Sequence, residues 1–402
     1  MAGSGGKGED RLAATGGRWS QPRSEPPPRF DDGDTDPQTL TATFWFDPGP
    51  SRHPSSATIK FAGHRVGVTG LPSPRDRFVQ EETIEGVVPG SGPVSITARV
   101  RGVNPGEWAV TAEMVGPPRR ARDRRSSRRP GQLSVQVLRP AAWSWRRWAL
   151  STSLAGPVKT RWAPLAVFER MPAVVPGSYT VLVTLGVVIG LMVQARLLAL
   201  EHLDAGRALM ASLVAVAVGL VGAKLWYLAL DRQLWRESLT DGWCIQGFLA
   251  GSAVTAIAAM VVLHLPVGRV LDATSPGLFI GLAVGKLGCF LTGCCAGRPT
   301  GSRWGVWSSD RRVGARRFPA QLLESATALI VGVAALLLVL HFRPAVPGAW
   351  FIASFATYTL CRQFLLRLRA ERRRSRIGGP ITAAGSALIL AADMMVTLLG
   401  SR

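Results

Sequence analysis

Two kinds of hydrophobic pattern divide this chain. Between residues 38 and 138 apolar and polar positions alternate over short runs: TLTATFWF (39–46), SATIKFAGHRVGV (56–68), FVQEETIEGVV (78–88), PVSITARVRGV (93–103), EWAVTAEMV (107–115) and QLSVQVL (132–138). A period of two places alternate side chains on one buried face, as in a strand, and the turn sequences DPGP, LPSP, PGSGP and NPGE separate the runs. Strands this short at this spacing predict a small antiparallel, Ig-like β-sandwich. From residue 178 the pattern changes to long apolar windows, at roughly 178–200, 207–230, 243–264, 270–292, 321–341, 347–366 and 379–399. Each approaches the ~20 residues that cross a hydrocarbon core. In lipid every backbone polar group must pair internally, so these windows predict helices. The expected fold is therefore an α-helical integral membrane protein with seven transmembrane helices, preceded by a small all-β sandwich domain.

The segments around these two units differ in kind. Residues 1–37 are rich in Gly, Pro, Ser and charge and hold no apolar stretch of signal-peptide type, which predicts a disordered tail. The run PPRRARDRRSSRRP (117–130) reads as a solvated loop, with binding to anionic lipid or nucleic acid as the other uses of such charge. Residues 139–176 interleave Trp143, Trp145, Trp148 and Trp162 with Arg146, Arg147 and Arg161. Indole favours the headgroup level and Arg favours phosphates, so this linker is expected to lie on the membrane surface, or else to pack on the sandwich. The domain plan is thus a tail at 1–37, a sandwich at 38–138, an interfacial linker at 139–176 and a transmembrane unit at 177–402.

Composition narrows the function. The chain has 402 residues, 47 Lys+Arg against 26 Asp+Glu, and a net charge of +21. Mean hydropathy is nevertheless positive, at +0.18. Strong charge and net apolarity exclude a simple soluble enzyme, a wholly disordered chain and a collagen-like fibre. Five Cys are too few for a disulfide scaffold, and all five (Cys244, Cys289, Cys294, Cys295, Cys361) lie in the helical part. Loops after the even-numbered windows carry 14 arginines against 5 on the other side, which by the positive-inside rule puts the N-terminus in the cytoplasm.

Polar groups at membrane depth mark sites or pairs. Here they are Lys224, Lys286, Glu324, Arg362 and Asp393, with Gln246 as a polar neighbour. Lys224 can also snorkel, Glu324 can cap the fifth helix and Asp393 can form an interhelical pair. Lys286 and Arg362 lie where a lipid phosphate would reach them. The spacing C-x4-C-C at Cys289, Cys294 and Cys295, beside Lys286 and Arg298, suits a reactive thiolate as well as plain apolar packing, and it makes a poor metal set without His.

The most informative segment is GKLGCFLTGCCAGRPTGSRWGVWSSDRRVGARRFPAQLLES (285–325). It runs from a Gly- and Cys-rich helix end through G-R-P-T, W-G and an Arg-rich loop to P-x-Q-L-x-E. This order resembles the prolipoprotein diacylglyceryl transferase family, whose signature it shares at Gly285, Gly288, Phe290, Gly293, Gly297, Pro299, Thr300, Trp304, Gly305, Arg317, Pro319, Gln321, Leu322 and Glu324. LVGAKLWYLALD (220–231), QGFLAGS (246–252) and TYTLCRQFLLRLR (357–369) extend the resemblance over about 220 residues, leaving the first 175 outside it.

The resemblance implies a multi-pass enzyme of a bacterial-type plasma (inner) membrane. Such an enzyme moves the diacylglyceryl group of phosphatidylglycerol, or another anionic phospholipid, to a cysteine thiol in a prolipoprotein signal peptide or related acceptor. It implies no metal, no cofactor and no nucleic acid, and an outward N-terminus, against the arginine count. Arg362 would clamp the phosphate, Lys286 stands where the family has arginine, and Tyr179 and Tyr227 would orient a headgroup. Arg298, Thr300, Arg317, Gln321 and Glu324 would complete substrate binding. The departures are Gln246 for a histidine, Phe318 for a histidine, Cys289 for an asparagine, Cys294 for a glutamate and Leu366 for a glutamate. Gln246 cannot act as a base near neutral pH. The alternatives are a relative that binds anionic lipid without catalysis and recruits a protein partner through its sandwich, and a thiol-dependent membrane protein using Cys294 and Cys295.

Overall fold

The computed structural model describes residues 40–46, 48, 55–100, 102–104, 107–115, 136–137, 158–159, 177–230, 244–370 and 377–400. The expected tail at 1–37, the arginine run at 117–130 and the Trp and Arg residues of 139–176 lie outside the described residues, as do Arg232, Arg236 and Arg372.

The N-terminal strands are β1 (Leu40–Phe46), β2 (Ser55–Val66), β3 (Arg77–Val87), β4 (Val94–Val100) and β5 (Glu107–Val115), with short β6 (Gln136–Val137) and β7 (Val158–Lys159). Alternation works as the sequence suggests. Leu40, Ala42 and Phe44 of β1 and Val94, Ile96, Ala98 and Val100 of β4 turn inward, against Ile59 and Phe61 of β2 and Trp108, Val110 and Ala112 of β5. Trp108 is fully buried, and its indole N–H donates to the Asn104 carbonyl at 3.1 Å, so the polar atom is satisfied inside the core.

Two antiparallel sheets share this core. One has the order β3-β2-β5-β6, with β7 also paired to β5, inside the stretch expected to be an interfacial linker. The other has the order β1-β4-β9-β8, and its last two strands come from far along the chain: β8 (Val306–Ser309) and β9 (Val313–Arg317). Ser95 pairs with Gly314 and Ile96 with Val313, and Ala315 enters the β core. The sequence reading treated this segment as an arginine-rich loop. Its strand character is hidden because Arg311, Arg312, Arg316 and Arg317 outnumber the inward Val313 and Ala315.

The helices are α1 (Ser178–Leu200), α2 (Ala205–Leu230), α3 (Ile245–Val262), α4 (Val267–Thr292), α5 (Ala320–His341), α6 (Ala349–Leu365) and α7 (Gly378–Gly400). Six of them, all but α6, are long and apolar enough to cross a membrane. Helix α6 corresponds to the window at 347–366 but has 17 residues. It starts after Gly348, whose φ is +100°, and passes at its end into a single 3₁₀ turn, Leu366–Leu368.

Close helix contact rests on glycine, because lipid tails give apolar side chains no reason to prefer one another and van der Waals approach of backbones takes over. Gly186 and Gly190 of α1 face Gly281 and Gly277 of α4. A Cβ on Gly281 would lie 2.3 Å from the Gly186 carbonyl oxygen, and one on Gly277 2.2 Å from that of Gly190. Gly222 of α2 and Gly247 of α3 meet in the same way. Buried polar side chains fix rotation about these contacts. Gln194 of α1 donates to Ser212 of α2 at 2.9 Å and to Thr274 of α4 at 2.8 Å. Asp272 of α4 accepts from the backbone N–H of Gly348 at 2.7 Å and of Phe351 at 3.0 Å, placing a carboxylate at the positive end of α6.

Gly281→Leu should lower thermal stability in detergent by about 2 kcal/mol or more, since overpacking here meets backbone that cannot move aside. Gly385→Leu on α7, where an added Cβ meets nothing within 4 Å, should change it little. Unfolding followed by intrinsic fluorescence compares the two.

Candidate functional site

Three elements bring one carboxylate and two cations together. Glu324 sits in the first turns of α5 and is fully buried. Lys286 reaches it from α4, with Nζ 2.6 Å from Oε2. Arg369, just past the 3₁₀ turn after α6, binds it with two guanidinium nitrogens, Nε to Oε1 and Nη2 to Oε2, both at 2.8 Å. Two-nitrogen geometry is the strong form of an arginine–carboxylate contact. Removing three such groups from water is costly, and only this degree of mutual pairing offsets it. Glu324 therefore forms ion pairs, and α5 begins at Pro319 without a side-chain cap. Ser325, the next residue, donates to the Ala283 carbonyl at 2.7 Å and locks α5 against α4.

The loop between α4 and α5 is stitched to the same place. Helix α4 ends at Gly293 with φ of +72°, and Gln321 donates to the Cys294 carbonyl at 2.9 Å. Arg298 donates its Nε–H to the Arg369 carbonyl at 3.0 Å, and its own N–H bonds the Leu368 carbonyl at 2.8 Å. Thr300 accepts from the N–H of Ser302 at 3.1 Å and gives its backbone N–H to Arg316. Arg317 is almost fully buried. It donates to the Gly297 carbonyl at 3.1 Å, to Asp310 at 2.7 Å and to the Val313 carbonyl at 3.0 Å. Arg298, Thr300, Arg317 and Gln321 thus shape the loop with their polar atoms.

Arg362 is different. It lies in the last turn of α6, and its Nε is buried without a hydrogen-bond partner among the described residues. Lys286, Glu324, Arg362 and Arg369 are all within electrostatic reach of the buried Tyr358 hydroxyl, one turn earlier on α6. A buried guanidinium N–H with nothing to bind is a donor held ready for an anion.

Cys289, Cys294 and Cys295 form one thiol cluster, with side chains in mutual hydrogen-bond contact, and Tyr179 at the start of α1 lies within electrostatic reach of all three. Cys295 follows α4 in a left-handed conformation, φ of +55°. Its thiol is pulled well below the usual thiol range by donation from Cys289 and Cys294 and by the Arg369 and Lys286 charges. The Cys294 thiol is pushed up, because it serves as the donor and is buried. Among the described residues no group of three or more His, Cys, Asp or Glu side chains is placed to hold a metal ion.

Two sequence candidates stand apart from this assembly. Gln246, exposed in the first turn of α3, accepts from its neighbour Cys244 at 2.7 Å. Tyr227 on α2 lies under Lys224 of the same helix, 5.7 Å from Nζ to the ring centre. Arg369, which the sequence analysis placed at the end of the matched segment 357–369 and among the loop arginines, was given no role in the site. The signal was present, since Arg369 closes the segment 357–369 in register with Tyr358 and Arg362. Arg311 was missed in the same way. It is buried and donates to the Thr292 carbonyl at 2.8 Å, closing the end of α4.

Comparison with known proteins agrees with this geometry. The family model for prolipoprotein diacylglyceryl transferase matches residues 167–399, spanning every helix and the site loop. A protein of Thermosynechococcus vestitus is 26% identical over 224 residues, covering 51% of this chain and 81% of that protein. One of Rhodopirellula baltica is 30% identical over 195 residues, covering 41% and 39%, and one of Finegoldia magna is 26% identical over 154 residues, covering 37% and 60%. All three are named phosphatidylglycerol–prolipoprotein diacylglyceryl transferase. The chain spans between 38% and 60% of the length of relatives from Finegoldia magna, Clostridium tetani and Rhodopirellula baltica. With the family's pattern matched over more than half its length, the chain belongs to the prolipoprotein diacylglyceryl transferase family.

Proposed function

We propose that this protein transfers the diacylglyceryl group of phosphatidylglycerol to a cysteine thiol of a prolipoprotein signal sequence and releases glycerol phosphate. The observation that carries the reading is Arg362. Within a matched family domain it is a half-buried arginine whose buried Nε–H has no hydrogen-bond partner among the described residues, beside a cluster whose other charges are spent on one another.

In this reading seven helices, α6 included, span a bacterial plasma membrane. The strands of 38–138 form a sandwich that β8 and β9 of the site loop complete, and the site opens on the outer face. Arg362 holds the lipid phosphate. Lys286 acts indirectly, because its charge is committed to Glu324, and the Lys286–Glu324–Arg369 assembly fixes α4, α5 and the end of α6 around the headgroup. Arg298, Thr300, Arg317 and Gln321 shape the wall of the site, and Tyr179 with Cys294 borders it.

The acceptor thiolate attacks the glyceryl carbon that carries the phosphate ester. A C–S bond forms, the C–O bond breaks, and glycerol phosphate leaves with the electron pair. The thiol's proton passes to solvent as the thiolate forms, and the departing phosphate monoester, whose second pKa is about 6, leaves with the electron pair largely as the dianion. In this step the proton goes to water, so no histidine is written where Gln246 stands.

Purified protein in vesicles with radiolabelled phosphatidylglycerol and a signal-sequence peptide should give labelled peptide. Arg362→Ala should abolish it, and Arg362→Lys should keep a fraction, since the charge survives while the planar fork is lost. No transfer by the unaltered protein, with lipid still bound, would establish the non-catalytic lipid-binding reading instead. Glu324→Gln should cost about 3–5 kcal/mol of stability by stranding two buried cations, and Lys286→Met/Glu324→Gln should recover part of that loss. Thermal unfolding in detergent reads both.

A further inference from the structure

The strands ahead of the helices have no counterpart in the matched family region, which begins at residue 167. They nevertheless close upon the one loop of that region that builds the site. Trp307 of β8 donates to the Pro93 carbonyl at 3.0 Å and stacks on Trp45 of β1, ring centres 5.2 Å apart and 19° from parallel. Thr97 of β4 gives its N–H to the Arg312 carbonyl at 2.8 Å. The Arg312 guanidinium pairs with Glu82 of β3, on the opposite sheet, and donates to the Thr83 carbonyl at 3.2 Å. Gly314 lies so close to Ser95 and the Trp307 ring that a Cβ would come within 2.4 Å of the serine oxygen.

From this hairpin a continuous set of contacts leads to the buried charges. Arg317, the last residue of β9, binds the Gly297 carbonyl and bridges Pro299 through its backbone. Arg298, between those two, holds the backbone of Leu368 and Arg369. Arg369 binds Glu324, and Glu324 binds Lys286. Each link is short, and the links near the charges are buried, so a shift of the hairpin is passed on to the cluster rather than absorbed by solvent.

We propose that the N-terminal β unit is a built-in brace: by completing the sheet around β8 and β9 it positions the ion cluster, with Trp307, Arg312 and Glu82 as the positioning residues. Its target is therefore a segment of its own chain. A brace of this kind sets the geometry of the reacting groups, and misplacement of about 1 Å is enough to slow a reaction severely. It contributes to turnover and leaves the binding of substrates to other surfaces.

The activity part of the test rests on the transferase reading, and a chemical part does not. In the full-length protein in phosphatidylglycerol vesicles, Glu82→Arg places two cations together at the seam. It should lower kcat for peptide diacylglyceration roughly tenfold with KM for the peptide nearly unchanged. The exchange Glu82→Arg/Arg312→Glu should restore most of it. In the same samples N-ethylmaleimide should alkylate Cys294 and Cys295, read by peptide mass spectrometry, several-fold faster in Glu82→Arg than in the unaltered protein. The exchanged pair should return to the original rate. If the unaltered protein transfers nothing, the transferase reading fails and the alkylation rates still decide the brace. Unchanged alkylation rates, an effect confined to KM, or failure of the exchange to restore either quantity would overturn it.

Discussion

A single buried carboxylate holds the helical part of this protein to its purpose. Glu324 is completely removed from solvent between Lys286 of α4 and Arg369 beyond α6, and each of the three lies on a different element. Taken singly, any one of these charges would be too costly at that depth. Together they form a joint that is stable only when α4, α5 and the end of α6 are all in place. The glycine contacts of α1 with α4 and the polar knot around Gln194 position α4 for that joint, and the Asp272 carboxylate at the start of α6 positions the third member.

That joint also sorts the cations by role. Lys286 and Arg369 balance Glu324, and Arg298, Arg311 and Arg317 bind backbone carbonyls. Arg362 keeps a buried N–H that has no partner among the described residues. Both Arg317 and Arg362 have a buried Nε without a partner among the described residues, but Arg317 is anchored through its other guanidinium nitrogens, whereas no hydrogen bond or ion pair among those residues holds Arg362. The cysteine trio lies beside the joint, within electrostatic reach of Lys286 and Arg369.

Much of the architecture was legible in the sequence, because it is written in local pattern. The seven apolar windows coincide with the seven helices to within a few residues, and the alternation of TLTATFWF and PVSITARV marks β1 and β4. What escaped is non-local. The pairing of Ser95 with Gly314 joins residues more than two hundred positions apart, and its arginine-laden strand carries too few apolar positions to announce itself. The same holds for the site. Lys286, Glu324 and Arg362 stand out as charges among apolar residues, but nothing in one dimension tells that Lys286 is spoken for while Arg362 is not. Arg369 was in view within its motif and was outweighed by the arginines crowded after it.

In the proposed function Arg362, and not Lys286, recognises the lipid phosphate. Native mass spectrometry of the full-length protein, released from bilayers holding equal phosphatidylglycerol and phosphatidylcholine, measures this as the ratio of the two lipids retained. Arg362→Ala should lose the preference for phosphatidylglycerol, while Lys286→Met should keep it. Loss of the preference in Lys286→Met with Arg362→Ala unaffected would contradict it.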